Sequence, residues 1–546
     1  MAINEATLIN AATHANLLTI DAVNQARKVA RRDRLSVIDT IGRDHRLPRA
    51  VLYQAVAEQR KLPFLTLSKL LPDDDLLQRL PATLLQRRLL LPVRDKQGQL
   101  LLAMSDPDDQ VAIDTVKRVV NTPFTLALAE PISLKSVLKC ELQNSAPDEE
   151  QDPIALFDEL MKEAYVCNAS DIHLKPEKNG LKAALRVDGK LIPYPKLLNE
   201  HEASLLINRV KVLAGLDISE QRMPQDGGFA YEISDWNLSA HELRVATLPS
   251  RWGERITLRL LGQESGALSL KQLDLNPLVL ERIRKVLTYP HGMVLVTGPT
   301  GSGKSTTLYA ALREIDRTEY NVLTVEDPIE QLLTDATQVQ TGVKISFSEA
   351  LRSFLRHDPD IILVGEIRDQ ETAETAMKAA MTGHLVLSTL HTNNATSAVS
   401  RLRNMNCENF MIAATVQLVI AQRLARRLCT LCRQVDDSPS PINLPVLKDA
   451  QRYKANGCPA CMGTGYKGRI GLHEMFWVDD DMSRLVANGA DDHEIRMAAG
   501  KNLYSLWEDA LYKVSQGLTS LEEVMPFQEA LHEDRPTQIG STEVTP

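Results

Sequence analysis

The spacing of apolar residues predicts a helical N-terminal part. In residues 1–140, apolar side chains recur at the three- and four-residue spacing of an amphipathic helix, as at Val51, Leu52, Ala55 and Val56. Between Leu91 and Met104 the pattern changes to two apolar runs around a turn at residues 96–99, which is typical of strands. We therefore expect a mainly helical domain that also holds a small sheet.

A polar segment separates this part from a second domain. Residues 141–152 offer almost nothing to bury and carry acidic side chains that repel one another, so we predict a linker there. Helix-like and strand-like patterns are mixed in residues 153–266, which predicts an α+β domain. The expected elements are a helix over Ile154–Val166, paired strands around Ile172–Leu174 and Ala183–Val187, and a helix over Glu202–Leu213.

Apolar strands alternate with helices from residue 270 onward. This order is the pattern of α/β folds with a parallel sheet covered by helices, and we assign residues 270–532 to such a domain. An insert between Cys429 and Cys461 contains a Pro- and Ser-rich segment, residues 436–441, which predicts a mobile loop. Residues 533–546 have little apolar content and are predicted to be a disordered tail.

Composition narrows the class of protein. The chain has 546 residues with 44% hydrophobic and 24% charged residues, which is ordinary for folded, multidomain proteins. Its formal net charge of −9 argues against a dedicated nucleic-acid binder. We see neither a secretory signal nor an apolar run of the ~18 residues that a membrane span requires. We expect a cytoplasmic chain that would work at a membrane only from the aqueous side.

The strongest chemical signal is a glycine-rich segment that matches GxxxxGK[ST]. It follows the apolar strand Met293–Thr297 and precedes a helix over Thr306–Ile315, the context in which this motif binds triphosphates. Backbone N–H groups and the helix N-terminus attract phosphate, Lys304 neutralises β/γ oxygens, and Ser305 can bind Mg²⁺. The alternative is a glycine-rich turn that binds nothing. The candidate ligands are Gly298, Pro299, Thr300, Gly301, Ser302, Gly303, Lys304, Ser305 and Thr306.

Three further segments add acidic residues and histidines. Glu366 follows the apolar strand Ile361–Val364, so we predict that it activates or positions water; a surface ion pair with Arg368 is the alternative. Crowded acids follow the strand at residues 322–325, which favours a cation or a basic partner over a plain acidic loop. Two histidines bracket a third strand and could sense the γ-phosphate or be structural. The candidates in these last two segments are Glu326, Glu330, His384 and His391.

These four segments, in this order and spacing, resemble the secretion ATPase superfamily, specifically the type II secretion and type IV pilus assembly ATPases. Residues 324–330 resemble the Asp box of that family, residues 361–366 its Walker B segment and residues 383–393 its His box. The resemblance implies a P-loop (RecA-like) core that hydrolyses ATP with Mg²⁺, preceded by a PAS-like α+β domain. Matches in the second domain are Ala169–His173, Arg186–Gly189, Pro224–Gly227 and Arg244–Pro249.

The resemblance also implies a ring. In such ATPases, commonly hexamers, the second domain packs on the ATPase core of a neighbouring subunit. Arginines of the second domain would then approach the nucleotide, where a guanidinium can stabilise charge that develops on phosphate. A surface or ion-pair role is the alternative for each of them. The positions that fit are Arg209, Arg222 and Arg244.

Two CxxC pairs lie within residues 425–475. Four thiolates at Cys429, Cys432, Cys458 and Cys461 suit a closed, structural zinc site, although the separation exceeds the common ~15–20 residues. Redox disulfides and four unrelated thiols are the alternatives. The resemblance associates this element with pilus-extension and secretion ATPases rather than with the shorter retraction ATPases.

The N-terminal domain resembles its counterpart in these ATPases only weakly. Some members dock this domain on a membrane-anchored partner, and others bind cyclic di-GMP through a pattern that opens with Arg-Leu-Gly and ends with Gln. Here the nearest stretch, Arg34-Leu35-Ser36 to Gln59, lacks the glycine. We therefore favour docking over binding of the dinucleotide.

The expected function is that of a homo-hexameric ATPase at the cytoplasmic face of the inner membrane. Hydrolysis would drive rotation between the second domain and the ATPase core, and a platform protein would lift pilin-like subunits into a pilus or pseudopilus. Rival hypotheses are an ATPase of conjugative or type IV transport and a scaffold that binds ATP but hardly hydrolyses it.

Overall fold

The computed structural model describes most of the chain. The described residues are 3–95, 97–120, 122–142, 152–178, 180–236, 238, 240–261, 268–342, 345–438, 447 and 450–529. The described residues form two compact units, one within the ranges 1–263 and 458–463 and the other within the ranges 264–457 and 464–546. Our predictions of a linker, of a loop within the insert and of a C-terminal tail fall largely outside the described residues.

Helices and a small sheet make up the N-terminal part of the first unit. The sheet order is β1-β4-β3-β2, with β2 and β3 antiparallel and the other pairs parallel. The predicted strand pair between Leu91 and Met104 is thereby confirmed. The elements are α1 Glu5–His14, α2 Ile20–Asp33, α3 Val37–His45, α4 Arg49–Gln59, β1 Phe64–Leu65, α5 Asp74–Arg79, α6 Ala82–Arg88, β2 Leu90–Arg94, β3 Leu100–Met104, α7 Gln110–Val119, β4 Thr125–Ala129 and α8 Pro131–Glu141.

An antiparallel sheet with two helices follows in the same unit. The strand order is β7-β6-β5-β10-β9-β8, and its buried residues form one core with α9 and α10. The predicted helices and the paired strands around His173 and Ala184 are confirmed. The elements are α9 Pro153–Val166, β5 Asp171–Glu177, β6 Gly180–Val187, β7 Lys190–Leu198, α10 Glu200–Leu213, β8 Gln225–Tyr231, β9 His241–Ser250 and β10 Gly253–Leu260.

The second unit is built on a mainly parallel sheet of order β13-β12-β14-β15-β11-β16-β19-β20. Its first elements are α11 Pro277–Leu287, β11 Gly292–Thr297, α12 Lys304–Glu314, β12 Val322–Glu326, β13 Thr337–Gln340, α13 Phe347–Phe354, β14 Ile361–Val364, α14 Gln370–Met381 and β15 Leu385–Leu390. Then come α15 Ser397–Asn404, α16 Asn409–Thr415, β16 Val416–Leu428, β17 Gln434–Val435, β18 Tyr453–Lys454, β19 Tyr466–Trp477, α17 Asp480–Ala487, α18 Asp492–Ala499, β20 Leu503–Tyr504, α19 Leu506–Ser515, α20 Leu521–Val524 and α21 Pro526–Glu529.

Two apolar cores cover the two faces of this sheet. Along β11, Met293 and Leu295 belong to one core, and Val294 and Val296 belong to the other. Alternate side chains of a strand point to opposite faces, so a strand buried on both sides has a continuous apolar sequence. The carboxyl ends of β12, β14, β15 and β11 share one edge because these strands are parallel.

No helix among the described residues is long and apolar enough to cross a membrane.

Candidate nucleotide-binding site

The loop of residues 298–303 lies between the end of β11 and the start of α12. Gly298, Gly301 and Gly303 have φ values of 144°, 77° and 87°, which side chains other than glycine rarely adopt. A Cβ at Gly298 would lie 2.4 Å from the carbonyl oxygen of Gln422, and one at Gly303 would lie 2.9 Å from the Gln422 amide nitrogen. Glycine is therefore required here by close contact as well as by conformation.

Lys304 begins α12 and folds back over the loop. Its Nζ donates to the carbonyl oxygens of Gly298 and Pro299, at 3.0 and 3.1 Å. Burial lowers the pKa of Lys304, and the nearby carboxylates of Glu366 and Glu330 oppose that shift. The ammonium group thus donates to neutral loop carbonyls, and a phosphate would be a stronger partner than a carbonyl.

Glu366 lies at the same edge, two residues beyond β14, and its side chain is only 14% exposed. One carboxylate oxygen contacts Arg368 at 2.6 Å, and the other is 3.4 Å from Nε2 of His391. The ion pair with Arg368 that we named as an alternative is present. It does not displace Glu366 from the site, because parallel strands place the end of β14 at the same edge as the glycine loop after β11.

Polar side chains fasten the strand ends to one another. Thr297 Oγ1 donates to the Leu390 carbonyl at 3.1 Å and accepts from the Thr392 N–H at 2.8 Å. Thr389 Oγ1 donates to the Gly365 carbonyl at 2.7 Å. These bonds fix the loop before Glu366 and the segment with His391 against the end of β11.

Glu326, the last residue of β12, and Glu330, four residues beyond it, have different environments. Glu326 is 4% exposed and accepts hydrogen bonds from Tyr309, Thr324 and Gln338. Glu330 is exposed, and its charge opposes the lowering of the pKa of Lys304 by burial. Glu330 therefore follows β12 at the sheet edge that bears the glycine loop, whereas the side chain of Glu326 lies in the protein interior, where its oxygens already have partners.

The two histidines of the third segment separate. His391 follows β15 and lies beside Glu366. His384 precedes β15, and because β15 runs parallel to β11, it lies at the opposite edge of the sheet, about 20 Å away at ~3.3 Å per residue. Its Nδ1 is 2.8 Å from the Ala379 carbonyl at the end of α14. Within this chain His384 does not join the site, contrary to our expectation.

Two residues of β16 that we did not predict from the sequence also lie at the glycine loop. Gln422 is buried and accepts a hydrogen bond from Thr307 of α12 at 2.8 Å. Arg423 donates to the Asn393 carbonyl at 2.9 Å, and its Nη1 lies 3.3 Å from where a Cβ of Gly298 would be. Burial lowers the pKa of Arg423. In the sequence, Gln422 and Arg423 interrupt the apolar run of residues 416–425, and this interruption could have identified them as functional candidates.

The three candidate arginines belong to the first unit. Arg209 is half-buried and interacts with the Tyr231 hydroxyl, which also donates to Asp158 at 2.5 Å. Arg222 and Arg244 are exposed, and Arg244 lies on β9 opposite Gly228. Their approach to a nucleotide remains a prediction.

The residues present fit a triphosphate. The N-terminus of the eleven-residue helix α12 and the ammonium of Lys304 face the loop, and both favour phosphate. The buried Ser302 Oγ has no hydrogen-bond partner among the described residues and is available to one. Ser305 and Thr306 occupy the first turn of α12 and are half-buried. Ser305 would hold Mg²⁺, and Glu366 would hold the attacking water.

The four predicted metal ligands form one cluster. The ligand atoms of Cys429, Cys432, Cys458 and Cys461 lie within 4.8 Å of one another. The sulfurs of Cys458 and Cys461 are 3.8 Å apart, well beyond the ~2.05 Å of a disulfide. Four thiolates around zinc at ~2.3 Å would lie about 3.8 Å apart. The cluster fits zinc with no open position.

Replacing both Cys458 and Cys461 by Ser is expected to abolish zinc binding and to lower the Tm by about 5–10 °C, because zinc binding contributes folding free energy. Elemental analysis should give one zinc per chain for the wild type and none for the double variant. Cys407→Ala, in a buried position outside the cluster, is the control and should retain zinc. Wild-type protein that is folded but zinc-free after expression with zinc would contradict the assignment.

A strand, a glycine loop, a helix with lysine and serine, and an acid at the neighbouring strand end define a P-loop nucleoside triphosphatase. Within that class, the chain belongs to the type II/IV secretion system protein family, whose model matches residues 147–526. A model of the MshEN domain matches residues 60–139. The family membership confirms the resemblance drawn from the sequence, and with it the ATPase class.

The chain has relatives both in type IV pilus assembly and in type II secretion. The chain is 38% identical over 523 residues to the type IV pilus assembly ATPase PilB of Thermus thermophilus, a match that covers 89% of this chain and 58% of that protein. It is 44% identical over 439 residues to the type II secretion system protein HxcR of Pseudomonas aeruginosa, a match that covers 79% of this chain and 88% of HxcR. The solved structure of the Legionella pneumophila ATPase DotB has the same fold as this chain, with a TM-score of 0.53 and 24% sequence identity. The match covers 70% of this chain and 98% of DotB.

Proposed function

We propose that the protein is a Mg²⁺-dependent ATPase that powers assembly of a type IV pilus or a type II secretion pseudopilus. The observation that carries this proposal is the contact of Glu366 with His391 at the sheet edge where the glycine loop begins, together with the opposing influence of Glu366 and Glu330 on the lowered pKa of Lys304. Two carboxylates beside the phosphate-binding lysine supply a metal or water ligand and a base, which a protein that only bound ATP would not need.

The active form in this proposal is a homo-hexamer. Residues 153–266 of one subunit would supply Arg209, Arg222 or Arg244 to the nucleotide of the next, and closure around the γ-phosphate would drive rotation between this domain and the ATPase core. The relatives named as a pilus assembly ATPase and a type II secretion protein support an ATPase of pilus assembly or secretion. Arg222 and Arg244 are exposed and can therefore contact another subunit.

The site of action would be the cytoplasmic face of the inner membrane. There the domain of residues 1–140 would dock on a membrane-anchored partner, and the ring would drive a platform protein that lifts pilin-like subunits. The MshEN match at residues 60–139 supports a domain shared with other members of the family. No nucleic acid is required by this function, in keeping with the net charge of −9.

Mixing two inactive variants tests the ring. Lys304→Ala removes the phosphate site, whereas Arg222→Ala and Arg244→Ala would remove only what a subunit gives to its neighbour. In a randomly mixed ring at equal amounts, about one quarter of interfaces would combine an intact arginine with an intact lysine. We therefore expect a Lys304→Ala and arginine-variant mixture to regain about a quarter of wild-type phosphate release.

A mixture of Lys304→Ala with Glu366→Gln is the matched control, because both changes damage the nucleotide site of the subunit that carries them. This mixture should stay inactive. If no arginine variant is rescued by Lys304→Ala, or if each arginine variant alone has wild-type activity, the arginines do not act between subunits.

A further inference from the structure

The position of Glu330 needs an explanation. Residues 327–336, the Glu330 loop, contain no helix or strand. They follow β12 at the sheet edge that bears the glycine loop, and the carboxylate of Glu330 opposes the lowering of the pKa of Lys304. An exposed side chain on an irregular segment has no fixed place unless the neighbouring backbone is held.

Gln331, the next residue, is held from three sides. Its backbone N–H donates to the hydroxyl of Tyr309 at 3.3 Å, and its side-chain oxygen accepts from Arg313 at 2.5 Å. Its carbonyl oxygen accepts from the amide of Gln338 at 2.9 Å. Tyr309 and Arg313 are one turn apart on α12, the helix that begins with Lys304, so one helix holds both the lysine and the residue after Glu330.

Glu326 is the centre of this network. Its carboxylate accepts hydrogen bonds from Tyr309, from Thr324 at 2.6 Å and from Gln338 at 3.1 Å. Gln338 also accepts from the Leu333 N–H at 2.8 Å. Burial, and then the bond to Glu326, raise the pKa of Tyr309, so its hydroxyl keeps the proton that it donates. A satisfied buried network of this kind rigidifies the groups it joins.

We propose that Tyr309, Arg313 and Gln331, with Glu326 and Gln338 behind them, are positioning residues that set the distance between Glu330 and Lys304. This proposal rests on the catalytic role proposed above for Glu330. The loop is fixed to α12 rather than to its own strand alone, so a shift of α12 on phosphate binding would move the Glu330 loop with it. Glu326 then contributes to catalysis without contacting the phosphates.

Tyr309→Phe tests the network, because it removes only the hydroxyl that joins Glu326 to Gln331. We expect kcat of the full-length protein to fall about 10–100-fold, since a small displacement of a catalytic group can cost ~10²-fold. KM for Mg-ATP should change less than about 3-fold, because the phosphate loop is intact. Hydrogen exchange at the Gln331 amide should become faster in the variant. Tyr320→Phe, at an exposed tyrosine outside the network, should change none of these.

The double variant separates positioning from general damage. In a Glu330→Gln background, Tyr309→Phe should lower kcat by less than about 2-fold, because the group it positions is already lost. An equal loss in both backgrounds, or unchanged exchange at Gln331, would overturn the proposal. Wild-type turnover by Glu330→Gln would contradict the catalytic role of Glu330 and the effect of the network on kcat. Hydrogen exchange at the Gln331 amide would still show whether Tyr309 holds the Glu330 loop.

Discussion

Lys304→Ala is expected to lower ATP turnover by at least ~10²–10³-fold, the usual cost of removing a group that stabilises developing charge. Lys304 donates to the loop carbonyls of Gly298 and Pro299, and the charges of Glu366 and Glu330 oppose the lowering of its pKa by burial. Its loss would remove the ammonium group that offsets the negative charge of these two carboxylates, and the more distant Arg423 guanidinium would not replace its contacts with the loop. Nucleotide affinity should fall as well, because ground-state binding uses the same charge. Phosphate release and equilibrium ATP binding by the full-length protein measure both effects.

The matched control is Lys378→Ala on α14, where an exposed lysine pairs with Glu374 one turn away. Such a surface pair contributes little to stability, so this variant should keep wild-type turnover. Comparable activity of Lys304→Ala and Lys378→Ala would mean that the phosphates are not bound at the glycine loop.

Glu366→Gln should separate binding from hydrolysis. The amide keeps the shape of the carboxylate and can still contact Arg368 and His391, but it cannot accept a proton from water at neutral pH. Removal of a general base costs about 10²–10⁴-fold in rate, so we expect turnover to fall by that amount. ATP affinity should stay within a few-fold of the wild type. Steady-state phosphate release together with equilibrium ATP binding checks both parts.

Glu281→Gln, at an exposed position on α11, makes the same chemical change away from the site and should leave turnover unaltered. A Glu366→Gln protein that binds ATP poorly would assign Glu366 to binding instead. One with wild-type turnover would place the base elsewhere, and Glu330 would be the next residue to replace.

The glycine loop, the strand ends and the cysteines could be predicted because their signals are local. Gly298 to Ser305 carry the phosphate-binding geometry in consecutive residues, with a buried strand before them and a helix after them. Glu366 and His391 follow apolar strands directly, and parallel strands bring their carboxyl ends to one edge. Each CxxC pair predicts two metal ligands by its spacing, and the structure adds that the two pairs lie together.

The other features of the site could not be predicted from the sequence, because they depend on contacts between residues that are distant in the chain. Glu326 and Glu330 look alike in the sequence as acids at the end of an apolar strand. Glu326 is buried because it is the last residue of β12, where Tyr309 of α12 and Gln338 of β13 donate to it. His384 and His391 look equivalent until strand direction places one at each edge. Arg423 reaches the glycine loop because β16 pairs with β11, a neighbour relation that apolar pattern alone does not give.

Phosphate release by the wild-type, full-length protein tests the central claim most directly. Incubated with excess Mg-ATP, each chain should release many phosphates with an equal amount of ADP, and chelation of Mg²⁺ should stop the release. Stoichiometric ATP binding with no more than one phosphate released per chain would contradict the claim that this site hydrolyses ATP repeatedly.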